Sequence, residues 1–540
     1  IAGRSGTFEG LALAVDTQGR VFTAFADRGA DGDGGVHLLG HADAPGRVFE
    51  VADGDGLRQL LAATDFAPGD VVALAPGDYA GDVVIAADDA GIVLTGPEAR
   101  LTGKLTVEAD DVALLRLGLG EVEATAVDRF HLEGARVDGD VALAGAAHRL
   151  VANDIDGRLR LDGATAVHVA DNHVVHRGGT ALEIAAASGG RITANSLSGD
   201  TALDLAAEFD GEIDANRLAD GTIGIDQKAA AALHGNTITG FATGWRVAVA
   251  DPAAAPGLAP DSGGNVVADN RVGVELAGGR IADQTIRANS TGVTGTGVLG
   301  GRGLDTANRI LANDVGVAGL DGDIRFNRIA ENRIGVEATA DQRIVANLVY
   351  RNAEIGVHVD GVRDVRILAS TFYAPTGDAV RVEGGASHTE LRSSILWAGQ
   401  GYAVYVADDS RTGFMGDHNT LHVEGGGRLY HWTKDFTDLL DLQADVAHLE
   451  LNSTGTTRVN PDLARPVFAD RGGDDFRLVE PVAGQRVTAT AVGGGDLRAV
   501  RDLAFLHDNL LAEPGFENGL AAWRTNAEAG AVAGEDGREP

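Results

Sequence analysis

The sequence predicts an all-β fold, a parallel β-helix solenoid with three strands per coil, and three observations predict it. One phrase recurs: "NRILANDVGV", "NRIAENRIGV" and "NLVYRNAEIGV" lie between residues 308 and 357. Asn308, Asn327 and Asn347 are 19 and 20 residues apart, Asn313, Asn332 and Asn352 keep the same steps, and Gly316, Gly335 and Gly356 follow at 19 and 21. A period of roughly 20 residues is the signature of a solenoid. Second, apolar residues alternate within each repeat, as in "RLRLDG", "AVHVAD", "ALEIAA" and "IGVHVDG", which is strand patterning rather than helical patterning. Third, the 540 residues hold 76 glycines and only 5% aromatics, which suits many corners around a core of small aliphatic side chains.

The elements follow in chain order. Residues 1–48 read as the end of a preceding β-rich, propeller-like module, since "GLALAVDTQGRVFTAF" alternates around a hairpin turn. Residues 49–490 read as the β-helix with its caps. Asp55 to Ala63 forms an amphipathic N-terminal cap with Leu57, Leu60 and Leu61 inward, because a solenoid end otherwise exposes open strand edges. The same beat runs upstream in Asn153, Asn172, Asn195, Asn216 and Asn236, each two residues before an aliphatic. Asparagine is expected to take the left-handed corner conformation and to form an amide ladder from coil to coil, with glycine supplying positive φ at other corners. From Asn236 to Asn270 the step lengthens to 34 residues, and the Pro/Ala/Gly stretch from Val249 to Gly264 supplies the insertion. Asp435 to His448 reads as a helix over the far end. Residues 491–540 read as a linker and the opening strand of a jelly-roll, carbohydrate-binding-like module. The chain opens at Ile1 inside one such flank and closes inside the other, so a longer modular parent is expected.

With the repeat "NxIxxNxxGV", the entry "DGLRQLLAATDFAPGDVVALAPGDY" and the closing "PVFADRGGDDFRL", the chain resembles the right-handed parallel β-helix proteins of the pectate-lyase-like superfamily, in particular large bacterial extracellular ones. The resemblance covers about residues 50 to 490. It implies a fold shared by lyases, hydrolases, epimerases, adhesins and inert rods, so function has to be argued from sites.

Formal net charge is -35 and Lys104, Lys228 and Lys434 are the only lysines. Such a surface repels phosphate backbones and anionic head groups, which disfavours nucleic acid and bare membrane and favours divalent cations. Cysteine is absent, which excludes disulfides, thiolate metal sites and cysteine nucleophiles. No apolar run reaches the roughly 18 residues of a membrane span.

The resemblance implies that a polysaccharide lyase or epimerase on this fold needs a group that neutralises a uronate carboxylate and a base that takes the C5 proton. "DNHVVHRGG" offers His173, His176 and Arg177 near Asp171, with Arg191 expected across from them on the next coil. Such residues are more often solvated turn residues. Trp245 and Arg246, at the base of the insertion, could stack on a sugar ring, or the tryptophan could simply pack the loop. His131 is expected outward between inward Phe130 and Leu132. The hydrolase motif "GHG" and the epimerase motif "DPH" are both missing. The pairs Asp88/Asp89, Asp110/Asp111, Asp408/Asp409 and Asp474/Asp475 sit at turns, where aspartate caps backbone. Calcium is the expected cofactor, held by Asp27, Asp31 and Asp33 in "DRGADGDGG" or by Asp470, Asp474 and Asp475 in "DRGGDD", because hard cations take several oxygens on flexible loops.

The sequence reading is therefore an extracellular or cell-surface, secreted bacterial module, structural or adhesive and capable of building filaments. Its expected partners are polysaccharide, other surface proteins or further copies of itself. The alternatives are a lyase or epimerase of uronate-containing polysaccharide and a carbohydrate-binding solenoid without turnover.

Overall fold

The computed structural model describes residues 6–15, 21–29, 34–41, 46–249, 262–301, 303–462 and 465–479. The chain divides into two compact units, Ile1–Asn236 and Thr237–Pro540.

The first unit opens with a three-stranded antiparallel sheet, Gly6–Val15, Val21–Gly29 and Gly34–His41, consistent with the hairpin patterning there. The cap helix follows as Gly54–Ala63. Asp53 is its N-cap, its carboxylate accepting from Gly56 N at 2.7 Å, and Leu57 and Leu61 are buried beneath it. Asp53 and Asp55 are thereby committed to the helix start, with Asp55 paired to Arg58.

Coils then repeat with three sides. Arg149–Val151, Asp154–Asp156 and Leu159–Thr165 make one coil, and each strand pairs in parallel with its equivalent on the next, Arg149 opposite His168, Asp154 opposite His173 and Leu159 opposite Leu182. The long strand His173–Ala186 runs through two sides of its coil. Inward residues stack in columns: Leu150, Val169, Ile192, Ile213 and Leu233 are in register and fully buried. Each such side chain contributes about 2 kcal/mol of apolar burial, so columns of aliphatics replace the aromatic anchors that a compact core would use.

The second unit has the same build. Arg343–Val345, Leu348–Tyr350 and Ile355–Asp360 pair in parallel with Arg366–Leu368, Thr371–Ala374 and Asp378–Glu383. Its C-terminal cap is the helix Leu439–Asp445, whose N-cap Asp438 accepts from Leu440 N at 2.8 Å. The helix expected from Asp435 is shorter than the pattern suggested, because Asp435–Phe436 pairs antiparallel with Arg428–His431 instead.

The asparagines form the expected ladder. In the first unit Asn153, Asn172, Asn195, Asn216 and Asn236 are buried, each Nδ2 donating to the next Oδ1 at 2.8–3.0 Å. In the second unit Asn270, Asn289, Asn313, Asn332 and Asn352 do the same at 2.9–3.1 Å. The conformational assignment, however, needs correcting. The left-handed residue is the one before each asparagine, as at Ala152, Asp171, Ala194 and Ala215, with φ between 54° and 57°. That bend turns the asparagine side chain inward, where its amide meets the next coil. Gly335 is likewise needed for proximity rather than for positive φ: a Cβ there would lie 2.4 Å from the Gly356 carbonyl oxygen.

Candidate functional site

Along one side of the second unit, a single outward position is filled by chemically active side chains on four successive coils. His358 on Ile355–Asp360, Arg381 on Asp378–Glu383, Tyr405 on Tyr402–Val406 and His431 on Arg428–His431 are in register. Their inward neighbours, among them Val357, Val380, Val404 and Tyr430, are buried, so alternation forces these four outward. Successive members stand about 4.8 Å apart along the stack.

The groups touch. The Arg381 guanidinium lies 4.1 Å over the Tyr405 ring, and the Tyr405 and His431 rings stack at 4.6 Å and 14°. Tyr402 meets Tyr405 edge-on at 5.2 Å, and Arg428 lies 5.3 Å over Tyr402. Asp435, brought alongside by the short antiparallel pairing, meets His431 Nδ1 at 2.8 Å, accepts from the Tyr402 hydroxyl at 3.0 Å and pairs with Arg428 at 2.9 Å. Glu383 meets His358 Nε2 at 2.9 Å and Arg381 at 3.0 Å, and Asp378 holds Arg381 from its other edge at 2.8 Å.

Burial pushes the Tyr402 hydroxyl above its ordinary value, reinforced by the Asp435 carboxylate. Burial also acts to raise Asp435, but the hydrogen bonds from His431 and Tyr402, with Arg428 nearby, outweigh it and hold the group below the usual carboxylate range. A carboxylate that stays ionised against His431 Nδ1 fixes the imidazole so that Nδ1 carries the proton and Nε2 is the basic nitrogen. His431 is 22% exposed and Arg381 25%, so the column is lined by the protein yet open to solvent. The arrangement offers an oriented base, a phenol beside it and two guanidiniums.

The residues singled out in the sequence fall elsewhere. His173, His176 and Arg177 lie on His173–Ala186 of the first unit; His173 and Arg177 are exposed, and His176 Nδ1 is 2.9 Å from the Thr180 carbonyl oxygen of its own strand. Arg191 stands on a different side of the coil and pairs with Asp214 at 2.9 Å, so these four groups do not converge. Trp245 is buried inside its coil at 2% exposure, with no ring face open to a sugar, while Arg246 is in register with Glu275. His131 is outward as expected, 2.9 Å from Glu133.

The aspartates expected to hold calcium divide. Asp27 lies in the strand Val21–Gly29, and Asp31 and Asp33 lie outside the described residues. Asp470 accepts from Gly472 N and Gly473 N, Asp474 pairs with Arg351, and Asp475 pairs with Arg477 at 2.5 Å. Among the described residues no group of three or more His, Asp or Glu is arranged to hold a metal ion.

Sequence reasoning missed the column because its members are 23 to 26 residues apart, but a signal was present. In "GVHVD", "AVRVE", "AVYVA" and "RLYH", one polar or aromatic letter follows or interrupts the inward apolar pair at the same place in each repeat. A second column was missed the same way: His131, Arg149, His168 and Arg191 are in register in the first unit. There His168 is pushed down to about 4, first by burial and then by Arg149, Arg191 and His131.

No family model matches the chain, and no curated protein matches it in sequence. Solved structures similar to it include a family 28 exopolygalacturonase from Yersinia enterocolitica, at 10% identity over 77% of this chain and 84% of that one, with a TM-score of 0.18. A family 6 polysaccharide lyase from Pseudopedobacter saltans is similar at 10% identity over 82% and 98%, with a TM-score of 0.24. The A-module of a mannuronan C-5 epimerase from Azotobacter vinelandii is similar at 12% over 76% and 99%, with a TM-score of 0.15. At these values the likeness carries no functional argument, and the function has to be argued from the column itself.

Proposed function

We propose that the chain cleaves a uronate-containing polysaccharide by β-elimination at the His358–Arg381–Tyr405–His431 column. The observation that carries this reading is the stacked Tyr405–His431 pair with Asp435 behind the imidazole and Arg381 beside the phenol. In the proposed step His431 Nε2 takes the C5 proton, the electron pair forms the C4=C5 double bond, and the C4–O bond breaks as the leaving oxygen takes the Tyr405 hydroxyl proton. Arg381 and Arg428 offset the substrate carboxylate, which otherwise opposes carbanion character at C5. Phenol and imidazole project from one column and would reach a substrate from one side, which suits a lyase better than an epimerase, since epimerisation returns the proton to the opposite face.

The test is incubation with polymannuronate, polyguluronate and polygalacturonate, following unsaturated uronate absorbance. The reading expects product from at least one polymer and its loss in His431→Asn and Tyr405→Phe. Absence of product from all three, with the protein folded, sinks it. The second reading, a secreted structural or adhesive module at the cell surface, is favoured by one feature: Arg381 and Arg428 are already tied to Asp378, Glu383 and Asp435. Calcium at Asp27, Asp31 and Asp33 is supported only by three carboxylates in a glycine-rich stretch of sequence, and an unchanged melting temperature in EDTA removes it.

A further inference from the structure

On another side of the second unit, an outward position is aromatic over consecutive coils. Tyr350, Tyr373, Trp397 and His422 are in register on neighbouring parallel strands, one ring per coil. The rings stand edge to face along the stripe, Tyr373 to Trp397 at 88° and Trp397 to His422 at 82°; one ring per coil is a poor way to meet water and gives each coil an aromatic surface of the kind that the C–H faces of pyranose rings pack against.

The stripe is covered by the C-terminal hairpin Phe468–Asp470 and Asp475–Leu478. Phe468 stacks on Trp397 at 5.8 Å and 26°, and Phe476 meets Tyr350 at 4.8 Å and Tyr373 at 5.6 Å. Arg471 places its guanidinium 4.1 Å over Trp397 and 5.4 Å over Tyr373. The hairpin thus sets rings and a planar cation where sugar rings would sit.

Three features set this cover apart from a further coil. Among the described residues the two strands pair only with each other, and no hydrogen bond between main-chain groups joins the hairpin to the coils. A lone two-stranded hairpin is marginal in water, so its place depends on side-chain contacts that can be exchanged for others. The polar links are few: Arg351 bonds Asp474 and the Arg471 carbonyl, the Tyr350 hydroxyl donates to Asp474 at 3.4 Å, and Arg471 pairs with Glu424 at 3.7 Å. Trp397 is 1% exposed, yet among the described residues its indole Nε1 has no hydrogen-bond partner. A buried donor left unpaired is costly, and a sugar hydroxyl is a natural acceptor for it.

We infer that Tyr350, Tyr373 and Trp397 form a stacking surface for a polysaccharide chain, and that hairpin 465–479 is a displaceable strap latched over it by the Arg351–Asp474 ion pair. The inference concerns a different side of the coils from the His431 column and does not depend on turnover there.

The test uses the full chain with Asp474→Asn and Phe476→Ala, separately and combined, and cellohexaose and hexamannuronate as probes. Asparagine is chosen because Asp474 has φ of 63°, which asparagine tolerates. Hydrogen exchange of amides 467–479 reports opening, and tryptophan fluorescence titration reports binding. The strap reading expects faster exchange confined to the hairpin and affinity for at least one hexasaccharide raised about tenfold, as the open fraction grows. It also expects Trp397→Phe in the latch-free background to remove most of that gain. Exchange of the hairpin only with global unfolding, no hexasaccharide bound by the latch variants, or equal binding by the unaltered chain each overturns it.

Discussion

Single residues set the economy of this fold, and the asparagines do so most directly. Asn195 Oδ1 accepts from both the main-chain N–H and the Nδ2 of Asn172, at 2.9 Å each. Asn195→Ala removes that acceptor and leaves a buried main-chain donor unpaired, so denaturant unfolding is expected to show a loss of about 3 kcal/mol. Glu450 is a residue of opposite character. Its buried carboxylate accepts from Asn419 at 3.0 Å, Tyr430 at 3.1 Å and Ser453, and burial raises it from 4.5 to about 7. The folded state holds the proton more tightly than the unfolded chain, so this stabilising contribution is complete below about pH 4.5 and is lost as pH rises through about 7. Urea midpoints measured between pH 4.5 and 8 are expected to fall less steeply in Glu450→Gln than in the unaltered chain; equal slopes would remove Glu450 from the explanation. His168 acts in the other direction, its neutral form contributing stability above about pH 6.5 that is lost as pH falls through about 4. The ladder was legible because its asparagines repeat, whereas Glu450 occurs once and has no period to betray it.

At the scale of the element, the coil is the unit that the sequence announces. Alternation in "AVHVAD" and "IGVHVDG" placed strands and their inward faces correctly, since a period of two leaves one face for the core. What alternation leaves blank is the outward face, and both the aromatic column and the His358–Arg381–Tyr405–His431 column lie there. The cap helices show the same limit. Asp53 shows itself as the N-cap only in accepting from Gly56 N, and Asp435 reads as helix until His431 is seen beside it. Gly335 carries an element-scale prediction. A methyl carbon added there would stand only 2.4 Å from the Gly356 carbonyl oxygen, so Gly335→Ala has to push two coils apart. Calorimetry is expected to show a lower melting temperature from a loss of about 2 kcal/mol. An unchanged melting temperature would mean that the coils yield without cost.

For the whole molecule, the fold class was legible and the site was not, for one physical reason. Stacking repeats residues of the same type, so the period exposes the fold, while a site takes one residue from each of several coils and shows no spacing of its own. His358, Arg381, Tyr405 and His431 meet only because parallel register superimposes them. The charge of -35 adds a constraint at this scale: a polyanionic substrate approaches against the mean field, so binding is expected to strengthen as moderate salt screens the repulsion. Proton abstraction at C5 underlies the proposed chemistry whether or not the chain is finally cut. The most direct measurement is therefore NMR of polymannuronate, polyguluronate and polygalacturonate held with the protein in D2O. Deuterium appearing at C5, or C5 becoming the unsaturated centre of a cleaved end, in at least one polymer and not with His431→Asn is the result expected. Full retention of the C5 proton in all three polymers contradicts the account.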